Sequence, residues 1–258
     1  MHRLTVVIPV LNEAARIAAL LEALAPARAQ GAEVLLVDGG STDDTARIAA
    51  PRCDAVLTGA VGRGAQLAAG VAASHRPFVW LVHADSQLPA GAAQLVVAAL
   101  ARAPHVWGRF DIALTGADPR LRIIAALMNL RTRITGIVTG DHGVFVRREL
   151  LDAAGGIPVQ PLMEDIELSK RLRGFAWPVA LRARIVTSSR RWQERGVWRT
   201  VAAMWWLRLR YFVGAAPADL ARAYYGNIAG PRSGAQGESQ GESHGESHGK
   251  SQRESQGE

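Results

Sequence analysis

The chain has 258 residues, of which 48% are hydrophobic, and a formal net charge of +7. That apolar content supports a packed core and excludes global disorder, and a single cysteine, Cys53, excludes both a disulfide framework and a paired-cysteine zinc or redox site. The longest uncharged stretch, 86–101, is interrupted by Gln87, Pro89, Gly91 and Gln94 and does not read as a bilayer span, and the start MHRLTVVIPVLNE lacks a signal-peptide pattern, so a cytoplasmic setting is expected.

Strand and helix patterns alternate from the beginning. Leu4–Val10 is a β-branched run that reads as a buried strand. Asn12 is placed as the N-cap of a helix running to about Ala25, with Ile17, Leu20, Leu21 and Leu24 on one face. Glu33–Asp38 is a second buried strand, and Ser41 with Asp44 reads as a capping box opening a helix to about Ala50. A short strand at Ala55–Thr58, an alanine-rich helix at Gly64–Ser74, a strand at Pro77–His83 and a helix at Pro89–Arg102 follow. This order implies a Rossmann-like α/β fold with a mostly parallel sheet and helices on both faces.

Beyond Pro104 the sequence predicts a strand at Val106–Leu114 and an arginine-rich helix at Asp118–Arg133. A strand at Gly143–Val146 and helices at Arg147–Ala153 and Glu164–Leu172 come next, then two short strands, Pro178–Leu181 and Arg184–Thr187. A C-terminal helical pair, about Gly196–Val213 and Pro217–Tyr225, closes a domain spanning 1–230. Residues 231–258 are a GES(Q/H) near-repeat with no aliphatic or aromatic side chain after Ala235, and read as a disordered low-complexity tail. The tail holds three basic and five acidic residues, which leaves 27 basic and 18 acidic in 1–230. A surplus of nine positive charges there favours anionic partners such as nucleotide phosphates or lipid headgroups.

In an open parallel sheet, ligands collect at the carboxyl ends of the strands. The polar groups there are Asn12 and Glu13 after the first strand, Asp38 in VDGGSTDDT after the second, and Asp85 in HADS after the fourth. The first strand–helix turn, PVLNEAAR, has no glycine, which removes a GxGxxG dinucleotide site; no P-loop and no GxSxG hydrolase elbow is present. No RNP, zinc-finger or KH pattern exists and the basic residues are scattered, so nucleic acid is not an expected partner.

TVVIPVLNEA, VDGGSTDDT, GRGAQLAAG, a modified DxD at HADS and MED at 163–165, in that order, resemble the family 2 glycosyltransferases of GT-A fold. The likeness runs from Leu4 to about Trp192. LVHADSQLP, GDHGVFVRRELL and PLMEDIELSKRLR are most similar to a small bacterial subgroup described as radical-SAM/selenodomain-associated transferases, some linked to arsenosugar biosynthesis. The resemblance implies an inverting hexosyl transfer from a nucleotide sugar, a UDP-sugar first, to an acceptor hydroxyl or carboxyl. It implies that Pro9, Asn12 and Glu13 line the nucleotide pocket, that Asp38 accepts from the base, and that Arg63 sits near base or diphosphate. It implies that Asp85, with His83 in place of the first acid of DxD, contacts Mn²⁺ or Mg²⁺. Asp165 is then the general base with Glu164 beside it, and Arg190, Arg191 and Trp192 match an RW element for phosphate and sugar. His142 in GDHG is a further candidate contact.

Gly196–Val213 mixes Trp198, Trp205, Trp206, Tyr211 and Phe212 with Arg199, Arg208 and Arg210. This suits either an interfacial helix at the inner face of the cell membrane or a helix packing its aromatic face on the domain. The first reading fits a lipid-like acceptor, the second a small molecule. Two other functions compete with sugar transfer: a nucleotidyltransferase on a related sheet, and a non-catalytic basic membrane-surface protein.

Overall fold

The computed structural model describes residues 1–189 and 196–228. Seven strands form one sheet in the order β3-β2-β1-β4-β6-β5-β7. They are β1 (Leu4–Val10), β2 (Glu33–Asp38), β3 (Ala55–Thr58), β4 (Phe78–Leu81), β5 (Trp107–Leu114), β6 (Phe145–Arg147) and β7 (Val179–Thr187). β1 runs parallel to both β2 and β4, β2 to β3, and β5 to β7. The short β6 is antiparallel to both of its neighbours, β4 and β5. The expected α/β architecture is therefore present, and β6 is what joins its two parallel halves.

Alternation along the central strands feeds two cores, because successive side chains leave a strand on opposite faces. Val6, Ile8, Val34, Leu36, Phe78 and Trp80 point to one face. There they meet α1 (Ala14–Ala29) and α4 (Ala92–Leu100). Val7, Val37, Val79 and Leu81 point to the other. They meet α3 (Arg63–Ala72), α6 (Arg148–Ala153) and α7 (Glu164–Arg173). Gly70 of α3 is a close-approach glycine: a Cβ there would lie 2.3 Å from Val7 Cγ1. The short α2 (Thr45–Ala49) lies against α1, and α5 (Pro119–Thr135) packs on β5.

A buried polar network fixes α5 to β5. Asn129 accepts from the amide of Ile112 at 2.9 Å and donates to its carbonyl at 3.0 Å. Arg109, almost fully buried, donates to the Asn129 carbonyl and pairs with Asp111, which also holds Arg133 at 2.7 Å. The closing helices are α8 (Val197–Phe212) and α9 (Pro217–Ala223), followed by one π-turn at Tyr224–Ile228. Leu207 and Leu220 bury against Ile137, Met163 and Ile166, which seats this pair over the start of α7.

Three local expectations are corrected. Asn12 does not cap α1: its backbone is left-handed (φ 56) and Glu13 takes the N-cap position. The first helical amide, that of Ala14, is capped from another segment by Asp43 Oδ2 at 3.1 Å. Ser41 and Asp44 form no capping box, since Ser41 Oγ turns back to Asp38 and Asp44 pairs with Arg47. The two strands expected at 178–187 are one continuous β7; its partner register jumps from Phe110↔Leu181 to Asp111↔Arg184, so an irregularity absorbs Arg182 and Ala183. The tail expected over 231–258 lies outside the described residues.

Candidate active site

The carboxyl ends of β1 and β2 are tied together before any ligand is considered. Buried Gln66 of α3 donates from Nε2 to the carbonyls of Val10 and Val37, both at 2.8 Å, where β1 and β2 part. Asn12 Oδ1 accepts from the amide of Thr42 at 2.8 Å, and the amides of Asn12 and Glu13 donate to Ser41 Oγ and Thr45 Oγ1. VDGGSTDDT is thus stitched to VLNEA residue by residue. Asp38, buried at the head of β2, closes the turn through Oδ1, which accepts from the amides of Gly40 and Ser41 and from Ser41 Oγ.

Beside this platform opens a cavity of about 680 Å³. Glu13, Arg63, His83, Asp85, Glu164 and Asp165 all line it, so six expected residues from four separate segments converge. Pro9 is buried within β1, paired with Val37, and does not line it; Asn12 and Asp38 belong to the stitched loops alongside. Arg190, Arg191 and Trp192 lie outside the described residues.

Met163, the residue before Glu164, holds a left-handed backbone (φ 66) at the N-cap of α7. With Asn12 it is one of two non-glycine residues of this conformation among the described residues. Each immediately precedes a cavity-lining glutamate, and such strain persists where the surroundings over-determine it. Asp165 is gripped at both oxygens: Oδ2 accepts from the amide of Gly140 at 3.0 Å and Oδ1 from that of Ile166 at 2.7 Å. Glu164 is buried, with Arg63 Nη1 at 3.5 Å from its carboxyl. Burial, then the neighbouring charge of Asp165, pushes the Glu164 carboxyl above its ordinary range, against the pull of Arg63. Burial works against the charge of Arg63, but Glu164, Asp165 and Asp141 outweigh it and raise its pKa.

Asp141 was not among the expected site residues. It lines the cavity, and its Oδ1 lies 3.3 Å from His83 Nδ1. Burial opposes its ionisation, yet the hydrogen bond from His83 and the charges of His83 and Arg63 hold its pKa below the carboxylate range. The residue next to it misled. His142 is fully buried with Nδ1 on Thr139, and burial drives its pKa down to about 3. It is a buried side chain and does not line this cavity. In a loop of the form GDHG, neither sidedness nor burial is legible from periodicity; only the family-like motif pointed to it.

Among the described residues, no three His, Cys, Asp or Glu side chains cluster as a cation cage. Asp85 enters no hydrogen bond or ion pair among the described residues and faces the cavity. A single free carboxylate fits a Mg²⁺- or Mn²⁺-type ion that is held mostly by substrate phosphates. His83 fits less well: Nδ1 is taken by Asp141, and Nε2 packs so tightly on Gly140 that a Cβ there would approach it to 2.3 Å.

The mostly parallel seven-strand sheet, with acidic side chains gathered at its strand ends, matches the GT-A class of glycosyltransferase folds. Similar solved structures agree. One is a mannosyltransferase from Pyrobaculum calidifontis in complex with GDP-Man and Mn²⁺ (TM-score 0.59, 23% identity, 86% of this chain and 69% of that one). Another is glucosyl-3-phosphoglycerate synthase from Mycobacterium tuberculosis with Mn²⁺, UDP and glucosyl-3-phosphoglycerate (TM-score 0.55, 21% identity, 78% and 77%). At those identities the likeness shows the fold. The Glycosyl transferase family 2 model matches residues 5–152, and the chain belongs to that family. An uncharacterized glycosyltransferase of M. tuberculosis H37Rv is 41% identical over 97 residues, 37% of this chain. That match spans 43% of the relative's length.

Proposed function

We propose that the protein transfers a sugar from a nucleotide-sugar donor, a UDP-sugar first, to an acceptor hydroxyl, with inversion at the anomeric carbon. The observation that carries this reading is that Asp85 and Asp165, from separate segments, line one cavity together with Arg63, which lies 3.5 Å from Glu164. Single-displacement transfer needs a base at the acceptor and positive charge at the leaving group.

The acceptor oxygen attacks the anomeric carbon, the bond from that carbon to the diphosphate breaks, and the nucleoside diphosphate leaves with the electron pair. Asp165 takes the acceptor proton; each of its oxygens accepts one amide and keeps a second lone pair for that proton. Arg63 bears on the diphosphate, and the Asn12–Thr42 and Asp38–Ser41 bonds shape the loops that receive the base. Asp85 is the side chain that would hold a divalent cation, whose chemistry there would be charge neutralisation at the leaving diphosphate. Glu164, uncharged more readily than an ordinary carboxyl, is suited to donate a hydrogen bond to a sugar or acceptor oxygen. The likeness to the radical-SAM/selenodomain-associated transferases within the family rests on the sequence motifs alone.

Contact with a membrane surface is part of this reading. α8 packs through Leu207, with Met204 and Tyr211 against the same cluster, while Trp198, Trp205, Trp206, Leu209 and Phe212 stay exposed. Among the described residues, no helix is long and apolar enough to cross a bilayer.

Thermal shift of the full chain with a panel of nucleotide sugars, with and without Mn²⁺, tests the proposal. Stabilisation by a nucleoside diphosphate sugar, greater with Mn²⁺, is expected. Stabilisation by nucleoside triphosphates alone would replace it with nucleotidyl transfer, and none at all with a non-catalytic surface protein.

A further inference from the structure

The cavity has two halves of different chemistry. One is the acidic strand-end half already described. The other is walled by α5 and α8, with Leu127, Leu130 and Ile134 from the first and Val201, Met204 and Trp205 from the second. Leu127, Leu130, Ile134 and Trp205 are also more than half exposed to solvent, so this half opens sideways onto an apolar surface.

Two arginines line the same cavity, Arg131 of α5 and Arg208 of α8. The other arginines lining the cavity have acids: Arg16 is 2.9 Å from Glu13, and Arg63 is 3.5 Å from Glu164. Arg131 and Arg208 have no ion pair among the described residues. Nε and Nη2 of Arg131 and Nε of Arg208 are enclosed and without a hydrogen-bond partner; Arg131 makes one long bond, from Nη1 to the Ile137 carbonyl at 3.4 Å. Burial depresses the pKa of both, and the charge of Arg208 helps bring Arg131 down to about 10. Asp165 acts in the opposite direction on each, which places both guanidiniums within electrostatic reach of the proposed general base. Two like charges with enclosed, unsatisfied donors are costly in the free protein. The Asn129 network locks α5 on β5 and so keeps Arg131 in place.

We propose that Arg131 and Arg208 form an anion subsite for an amphipathic acceptor, its phosphate or carboxylate gripped by the two guanidiniums and its apolar chain lying along the α5–α8 wall. The anion is a handle; the nucleophile is a hydroxyl of the same molecule, presented to Asp165. Guanidinium forks bind both oxyanions in two-point fashion. This inference rests on the transferase reading above and supplies its acceptor class.

The test is calorimetric titration of the full chain with decyl phosphate, decanoate, decanol and inorganic phosphate, alongside UDP with Mn²⁺. Decyl phosphate or decanoate is expected to bind at least about tenfold more tightly than decanol or inorganic phosphate. Arg131→Gln and Arg208→Gln should each erase that preference while leaving UDP affinity within about twofold. Arg131→Lys and Arg208→Lys, which keep the charge but lose the fork, should retain part of it and control for folding. Because the charges are unpaired, Arg131→Gln should not lower the melting temperature. Equal binding of decanol and decyl phosphate, or of inorganic and decyl phosphate, overturns the proposal. Loss of UDP binding in the Gln variants overturns it differently, by assigning the arginines to the donor diphosphate. Failure of the wild type to bind any nucleotide sugar sinks the transferase reading and leaves the binding of decyl phosphate as a separate result.

Discussion

The amide of Gly140 donates to Asp165 Oδ2 at 3.0 Å, and a Cβ on Gly140 would lie 2.3 Å from His83 Nε2. One backbone position therefore spaces the acid of α7 from the imidazole after β4. Gly140→Ala is expected to force these groups apart. An ångström-scale displacement costs roughly 10²-fold in rate, and overpacking costs about 1–3 kcal/mol in stability. Turnover and urea unfolding on the same variant would register both.

Asp38 separates a structural from a functional role in one substitution. Its Oδ1 accepts three bonds that close the 38–41 turn. Asp38→Asn keeps that acceptor and replaces the other oxygen by a donor. The variant should fold with an unchanged melting temperature yet bind UDP about tenfold more weakly, because a base N–H would meet an N–H. Equal UDP affinity would leave Asp38 as a turn residue only.

His142 sets a pH dependence with a definite sign. Its folded pKa of about 3 lies below the ordinary value of 6.5, so the unfolded chain binds its proton first as pH falls. The stability is fully present above pH 6.5 and is lost as pH drops from there toward 3. The slope from this one group is about 1.4 kcal/mol per pH unit. Unfolding free energies from pH 7.5 to 4.5 should show it in the wild type, and the curve for His142→Gln should be shallower by one proton.

The exposed aromatic face of α8 predicts a membrane-binding phenotype. Trp198 and Trp205 are 71% and 61% exposed. The double change Trp198→Ser, Trp205→Ser should reduce sedimentation with anionic vesicles and leave the fold unchanged. Undiminished sedimentation would remove this face from any membrane role.

How much of this was legible depended on where the determining contacts lie. β1, β2 and β3 were readable to the residue because each is a short run centred on Val, Leu or Ile set between helical patterns. β6 was misplaced by about two residues: at three residues it exists through pairing with β4 and β5, which periodicity does not carry. β7 read as two strands because its register shift interrupts the pattern at Arg182 and Ala183. The same division holds in the site. Glu13 and Asp85 were placed by their position after β1 and β4, whereas Arg63, Glu164 and Asp165 were pointed to only by the family resemblance; all five line the cavity. Asp141 was missed because only His83, 58 positions earlier, gives it a role. Asn12 looked like a helix cap, but its acceptor serves Thr42, thirty residues away.

The general-base role of Asp165 is the central claim, and Asp165→Asn tests it most directly. Asparagine still accepts the Gly140 amide but takes no proton. Nucleotide release from the preferred donor, measured at saturating acceptor, should fall by about 10²–10⁴-fold while donor affinity stays near the wild-type value. Turnover equal to the wild type would remove Asp165 from the chemistry and contradict the account.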